Sequence, residues 1–548
     1  MDKINSLKPC LVNARQGVSV FYKERFLYSK YCPEKSILDC ISNLTFLPDT
    51  LILLFSPCLF LGINELLAKL NENCFLLALE DEQPLYELAK TQISKLNLPA
   101  NLLRLSSTEN IEQCLQSLPK FKRVISLSMS GGTFFHEKEY LNAEKIARNY
   151  TGTFWKNHVT LVRLGRLFSR NLIRNLKFIP QKNSVSLICN KITRPIFVFG
   201  AGESIEVYLT EPYKSYLKNF TVICVDAALP VLQSCGVEWD FFVAQESQLA
   251  VEKAYIGVNL RGTGLFDMAS RNSIIKKFKG EKYFFASEYA ESSFFQTLEN
   301  NKILPKKIPP LGSVGLTSVF LALLMRKSAD VPVFFAGLDF SFSTGKTHAR
   351  GTPAHIAKLS SCSRFVPVEN YDAAFKIGAQ IVQGKNSAVT TDKILLSYAS
   401  LFNDFFSNAA NLYNAGNFGI KLGTLEISKE QFLSFAKSMP QKKHDENKNF
   451  FEQQLAKNRE DFSESQKITE NFLKKEKESL VRLRELLVHG ENVFPPPYPS
   501  LNEEIKSLLS ARDYLYLHFP DSHKKNFSDL SFLKRVRTEI DFFLKDFS

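Results

Sequence analysis

The chain has 548 residues, 45% of them hydrophobic and 23% charged, a balance that excludes disorder over its whole length and, at roughly 150 residues per domain, allows about three or four domains. Its net charge of +13 comes without zinc-finger, basic-zipper or RNA-recognition patterns, and much of the excess is lysine spread over helical faces, so no nucleic-acid partner is expected. The longest apolar run, residues 51–61 broken by Ser56 and Pro57, is too short to span a bilayer; with no apolar leader at the start and ten cysteines lacking ligand spacing, we expect a cytoplasmic protein with reduced thiols and no metal site.

Residues 1–185 read as an α/β domain. Asp49-Thr50-Leu51-Ile52-Leu53-Leu54-Phe55 predicts a buried strand, residues 63–70 a helix, and Cys74-Phe75-Leu76-Leu77-Ala78-Leu79 a second strand ending at Glu80. A helix entered through Pro84, with Leu85 and Leu88 inward, precedes a further strand at 122–127. Such alternation predicts a parallel sheet. The turn after the first strand, Ser56-Pro57-Cys58-Leu59-Phe60-Leu61-Gly62, has one late glycine, whereas a phosphate needs glycines where backbone N–H groups approach it. The domain therefore reads as degenerate Rossmann-like, structural or partner-binding.

Pro180 and the polar residues after it suggest a linker, and residues 190–428 carry nearly all the chemistry. Arg194-Pro195-Ile196-Phe197-Val198-Phe199 is an apolar strand running into Gly200-Ala201-Gly202-Glu203-Ser204, with a helix expected from Ser204 or Ile205. Glycines there permit a tight turn, and a helix N-terminus favours an anion; Ile205 breaks the full dinucleotide fingerprint. Thr221-Val222-Ile223-Cys224-Val225 ends in Asp226, placed either to meet a ribose hydroxyl or to cap the next helix. Trp239 to Glu246 forms another strand with acids at both ends. Leu311-Gly312-Ser313-Val314-Gly315-Leu316-Thr317 opens an apolar helix, Ser313 being a natural N-cap that leaves first-turn N–H groups for an anion. Finally Val333-Phe334-Phe335-Ala336-Gly337 leads to Asp339 and a polar loop reaching His348, whose imidazole suits a general base. Gly345-Lys346-Thr347 mimics a Walker A tail, but Phe340 stands where that loop requires glycine.

Residues 429–548 read as a helical domain. A Lys/Glu-rich helix is expected over 451–487, stopping at His489-Gly490, and Phe494-Pro495-Pro496-Pro497-Tyr498-Pro499 breaks the pattern before two more helices at 501–517 and 530–544.

Taken in order, Gly200-Ala201-Gly202-Glu203-Ser204, Val225-Asp226-Ala227-Ala228, Gly236-Val237-Glu238-Trp239-Asp240-Phe241, Gly312-Ser313-Val314, Gly337-Leu338-Asp339 and Gly345-Lys346-Thr347-His348-Ala349 resemble the central domain of the motility-accessory-factor glycosyltransferases, a domain related to pterin pyrophosphokinase-like proteins. The resemblance implies a sialyltransferase-like Rossmann-type α/β fold between a smaller α/β domain and a helical one. It implies transfer of a nonulosonic, sialic-acid-like sugar from a CMP-sugar to Ser or Thr hydroxyls of flagellin, with the CMP-sugar as co-substrate and no other cofactor. On that reading Gly200, Gly202, Glu203, Ser204, Asp226, Glu246, Gly312, Ser313, Val314 and Thr317 form the donor-nucleotide site, while Asp339 and His348 face the acceptor. This chain departs from the family's pattern with Glu203 for a usual proline, Glu246 for aspartate, Leu338 for glutamine, and a turn at 412–420 without its usual acid and paired glycines. Two rival readings are a pterin pyrophosphokinase-like phosphotransferase and a non-catalytic flagellin-binding accessory protein.

Overall fold

The computed structural model describes residues 8–96, 98, 101–179, 183–289, 292–343, 346–365, 377–440, 462–492, 499–525 and 527–547. Gly345, linker residues 180–182, the start of the Lys/Glu-rich segment and most of the proline run lie outside the described residues. Packing divides the chain into two compact units, Met1–Leu161 and Val162–Ser548. No helix among the described residues is long and apolar enough to cross a membrane.

In the first unit, β4 (Thr50–Phe55), β5 (Phe75–Leu79), β6 (Leu103–Ser106) and β7 (Arg123–Ser128) form the expected parallel sheet, in the order β6-β5-β4-β7. An antiparallel sheet of β1 (Cys10–Asn13), β2 (Val18–Tyr22) and β3 (Arg25–Phe26) precedes it; these strands are too short to leave a periodic signal. The strand-end acid Glu80 is 1% exposed. It accepts hydrogen bonds from the Ser56 hydroxyl (2.7 Å), the Tyr140 hydroxyl (3.1 Å) and the Glu82 N–H (3.1 Å). Burial pushes its pKa up to about 7, against the lowering effect of those donors. Ser56, the first residue of the turn after β4, is thus committed to Glu80.

The second unit is built on a nine-stranded sheet: β8 (Ile196–Phe199), β9 (Thr221–Val225), β10 (Phe241–Ala244), β11 (Thr263–Asp267), β12 (Lys282–Ser287), β13 (Lys307–Ile308), β14 (Val333–Ala336), β17 (Leu412–Asn414) and β18 (Leu425–Glu426). Every pairing in it is parallel, in the order β13-β12-β11-β10-β9-β8-β14-β17-β18. Strand side chains alternate between faces. Phe197 and Phe199 enter one hydrophobic core and Ile196 and Val198 the other. The helix Val314–Met325 lies across β8, β9, β10 and β14 on the second face. A hairpin of β15 (Ala379–Gln383) and β16 (Ala388–Asp392) stands apart from the sheet.

Three helical expectations need correction. The segment after Gly202 is a 3-10 turn, Glu203–Leu209, rather than an α-helix. The long C-terminal helix, Phe462–Asn492 as described, runs through His489 and Gly490 instead of stopping there. An interior glycine costs only about 1 kcal/mol, too little by itself to end a helix of this length. The next helix, Pro499–Ser510, ends earlier than expected and yields to a 3-10 turn, Asp513–Leu515. Side chains of these helices and of the last one, Leu530–Phe543, share one core with Phe197 and Phe242 of the sheet, Leu483, Leu509 and Phe543 among them.

Candidate functional site

From β8 the chain adds strands in one direction as far as β13, then returns to place β14 on the other side of β8. Connections on either side of such a reversal leave in opposite directions, which opens a crevice beyond the carboxyl ends of the strands. The turns after β8 and β14 meet at this point. The Gly200 N–H donates to the Ala336 carbonyl at 2.8 Å, and the Gly202 N–H to the Gly337 carbonyl at 2.9 Å. A Cβ on Gly200 would collide with the Gly337 carbonyl oxygen, and one on Gly202 with Asp339 Oδ2. Glycine is therefore required for the two backbones to approach.

Asp339, 4% exposed, sits inside the Gly200–Ser204 turn. It accepts from the Ser204 N–H at 3.0 Å and from the Ser204 hydroxyl, whose oxygen accepts the Gly337 N–H at 2.8 Å. Ser204 and Asp339 thus commit their hydrogen bonds to each other. Burial raises the Asp339 pKa to about 6, while the Ser204 bonds and the Lys385 charge lower it. Lys385, from the loop of the hairpin, donates to the Gly416 carbonyl at 2.6 Å and pairs with Glu426 at 2.7 Å.

The second glycine corner adjoins the first through one side chain. A Cβ on Gly200 would stand 2.9 Å from Leu338 Cδ2, and one on Gly315 would collide with the same atom. Ser313 occupies the N-cap of the helix Val314–Met325, but its hydroxyl caps none of the first-turn N–H groups. A Cβ at Gly312, whose φ is 68°, would stand 3.1 Å from the Tyr398 ring. Val314 is partly buried, packed against both cores. Thr317 is fully buried, and its hydroxyl donates to Gln245 at 2.9 Å.

Asp226 lies beyond β9, with Oδ1 accepting the Ala227 N–H at 2.8 Å. Its Oδ2 and the buried hydroxyl of half-buried Tyr255 approach each other short of hydrogen-bond geometry, so each lacks a partner among the described residues. Burial first, and then the charge of Glu246, push the Asp226 pKa up to about 7. Glu246 is half-buried and accepts from the N–H groups of Ser247 (3.0 Å) and Gln248 (3.1 Å); burial first, and then the charge of Glu246, raise the pKa of Tyr398.

The loop after β14 folds back over the β8 turn. The Ala349 N–H donates to the Ala201 carbonyl at 2.9 Å. Glu203 accepts from the Ser343 hydroxyl at 2.6 Å and pairs with Lys346 at 2.9 Å. His348 is half-buried within this loop, its Nδ1 3.1 Å from Thr347 Oγ1, and burial holds its pKa below the usual value. Sequence reasoning missed Lys346, treated only as a false Walker lysine, together with Tyr255, Tyr398 and Lys385. For Lys346 one signal was available: an acid such as Glu203 in a phosphate-type turn calls for a nearby cation.

Residues 170–345 match the family model described as 6-hydroxymethylpterin diphosphokinase MptE-like. An uncharacterized protein of Treponema pallidum (strain Nichols) is 30% identical over 554 residues, spanning 99% of this chain and 95% of its own length. The structure of the MAf glycosyltransferase from Magnetospirillum magneticum AMB-1 superposes with a TM-score of 0.53 at 14% identity, covering 98% of this chain and 91% of that one. The chain therefore has the fold of the MAf glycosyltransferase, and, carrying an MptE-like region at its centre, it belongs to the same family as the Treponema pallidum protein.

Proposed function

We propose that the protein is a glycosyltransferase that carries a sugar from a nucleotide-activated donor, of the CMP-nonulosonic type, to Ser or Thr hydroxyls of flagellin in the cytoplasm. The observation that carries this reading is the switch point between β8 and β14, where the two glycine turns meet near the N-terminus of Val314–Met325, whose Ser313 hydroxyl caps no N–H, and under the His348 loop. Free first-turn N–H groups suit a phosphate, so Gly312, Ser313 and Val314 take the donor's charged leaving group, with the Gly200–Ser204 turn as the facing wall. Asp226 and Glu246 border the ribose and base. His348, neutral near pH 7 because burial lowers its pKa, accepts the proton of the attacking hydroxyl. The acceptor oxygen bonds to the anomeric carbon as the donor's C–O bond breaks, and CMP departs. Asp339 acts by holding the two turns together, and Thr317 by fixing Gln245.

The test is to incubate the purified chain with flagellin and a panel of CMP-sugars, following intact flagellin mass and released CMP. A discrete mass increase supports the reading; no added mass with any donor ends it. The MptE-like match over 170–345 favours a second reading, pyrophosphoryl transfer to a hydroxymethylpterin. Magnesium-dependent ATP turnover with that substrate would put it first.

A further inference from the structure

We propose that Lys346 is a positioning residue for this transfer: it fastens the loop bearing His348 onto the β8 turn and cancels the charge of Glu203 beside the donor phosphate. The inference rests on the glycosyltransferase reading. Lys346 has a side chain only 14% exposed, and its ammonium lies 2.9 Å from Glu203 Oε1, 3.1 Å from Glu206 Oε1 and 3.2 Å from Glu206 Oε2. An ammonium has three N–H donors, and three carboxylate oxygens surround this one. Its charge is therefore answered by the two glutamates.

The same two glutamates take further bonds from the same loop. The Ser343 hydroxyl donates to Glu203 Oε2 at 2.6 Å and the Arg350 N–H to Glu206 Oε1 at 2.9 Å. The Ala349 N–H bonded to the Ala201 carbonyl completes the attachment. His348 lies between Lys346 and Ala349, and Thr347 is the one side chain within hydrogen-bond distance of its ring among the described residues. Its position is therefore set through the backbone, by the residues that flank it. Without Lys346 two carboxylates would face the turn unneutralised, repelling both each other and an anionic donor.

Two separable effects follow. Loss of the fastening lowers kcat, because misplacing a reacting group by about 1 Å costs up to about 100-fold; loss of the charge raises KM for the donor. CMP release from the full chain, measured against donor concentration, reads both. Lys346→Met is expected to lower kcat roughly tenfold or more and to raise donor KM several-fold. Adding Glu203→Gln to Lys346→Met should return KM toward wild type and leave kcat low. The charge exchange Lys346→Glu with Glu203→Lys should recover both in part, and Lys346→Arg most of both. Circular-dichroism melts accompany each variant, and if Lys346→Met does not fold, Glu203→Lys alone, which sets two cations together, must lower kcat. Unchanged kcat and KM in Lys346→Met, or no recovery in both the exchange and the arginine variant, would overturn the proposal and leave the reading standing. A wild-type chain that releases CMP from no donor overturns both.

Discussion

Four carboxylates at strand ends, Glu80, Asp226, Asp267 and Asp339, are each at most 5% exposed, and burial raises their pKa values to about 7, 7, 6 and 6. Each binds its proton more tightly folded than unfolded. Their contribution is therefore complete below the unfolded pKa of about 4 and is lost as pH rises through 6 to 7. Urea unfolding is expected to show stability falling between pH 5 and pH 8. Glu80→Gln should flatten that slope by up to about 3 kcal/mol; an unaltered slope would mean that Glu80 ionises freely. Asp339→Ala leaves the Ser204 N–H buried without its acceptor, and should destabilise the chain by about 2–4 kcal/mol in the same measurement. Gly200, Gly202 and Ser204 were legible as a turn because a strand followed by Gly-x-Gly allows little else, whereas Asp339, read as facing the acceptor, lies buried inside that turn. Its bonding to Ser204 was not legible, since Ser204 and Asp339 are 135 residues apart in sequence.

At the level of elements, the buried strands were legible from their apolar runs alone. Phe75–Leu79 and Thr221–Val225 are buried at every position and each is followed directly by an acid, Glu80 and Asp226. Helix ends were less legible, because they depend on distant partners. The helix Ser293–Asn300 begins where Asp513, from the C-terminal helical region, accepts from the Ser292 hydroxyl at 2.8 Å and from the N–H groups of Ser293 at 2.6 Å and Phe294 at 3.2 Å. No local N-cap pattern could reveal an acid more than 200 residues away. Asp513→Ala is expected to cost about 1–2 kcal/mol, in the range of a lost N-cap, read as a lower thermal midpoint; Asp513→Asn should recover part of it. An unshifted midpoint would show that water replaces the cap.

For the whole molecule, strand order was beyond the sequence, because nothing local states that β14 pairs with β8 rather than with β13. The same holds for the helix Leu530–Phe543, which buries Phe532, Val536, Ile540 and Phe543 in the core containing Phe197 and Phe242. At roughly 2 kcal/mol for each such side chain, the four contribute about 8 kcal/mol, as much as many whole domains possess. Arg166 pairs with Glu539 at 2.8 Å, and Arg174 with Asp546 at 2.6 Å, at the edge of that contact. Removing residues 530–547 should leave the second unit insoluble or protease-sensitive, as limited proteolysis would report. A core that needs Phe543 also sets a timetable for biosynthesis. At 5–20 residues per second, Val162 and Phe543 emerge from the ribosome roughly 20 to 80 s apart. Throughout that interval the nascent β8–β14 sheet lacks its final cover, so this long unit is the stretch of the chain on which chaperones have most time to act.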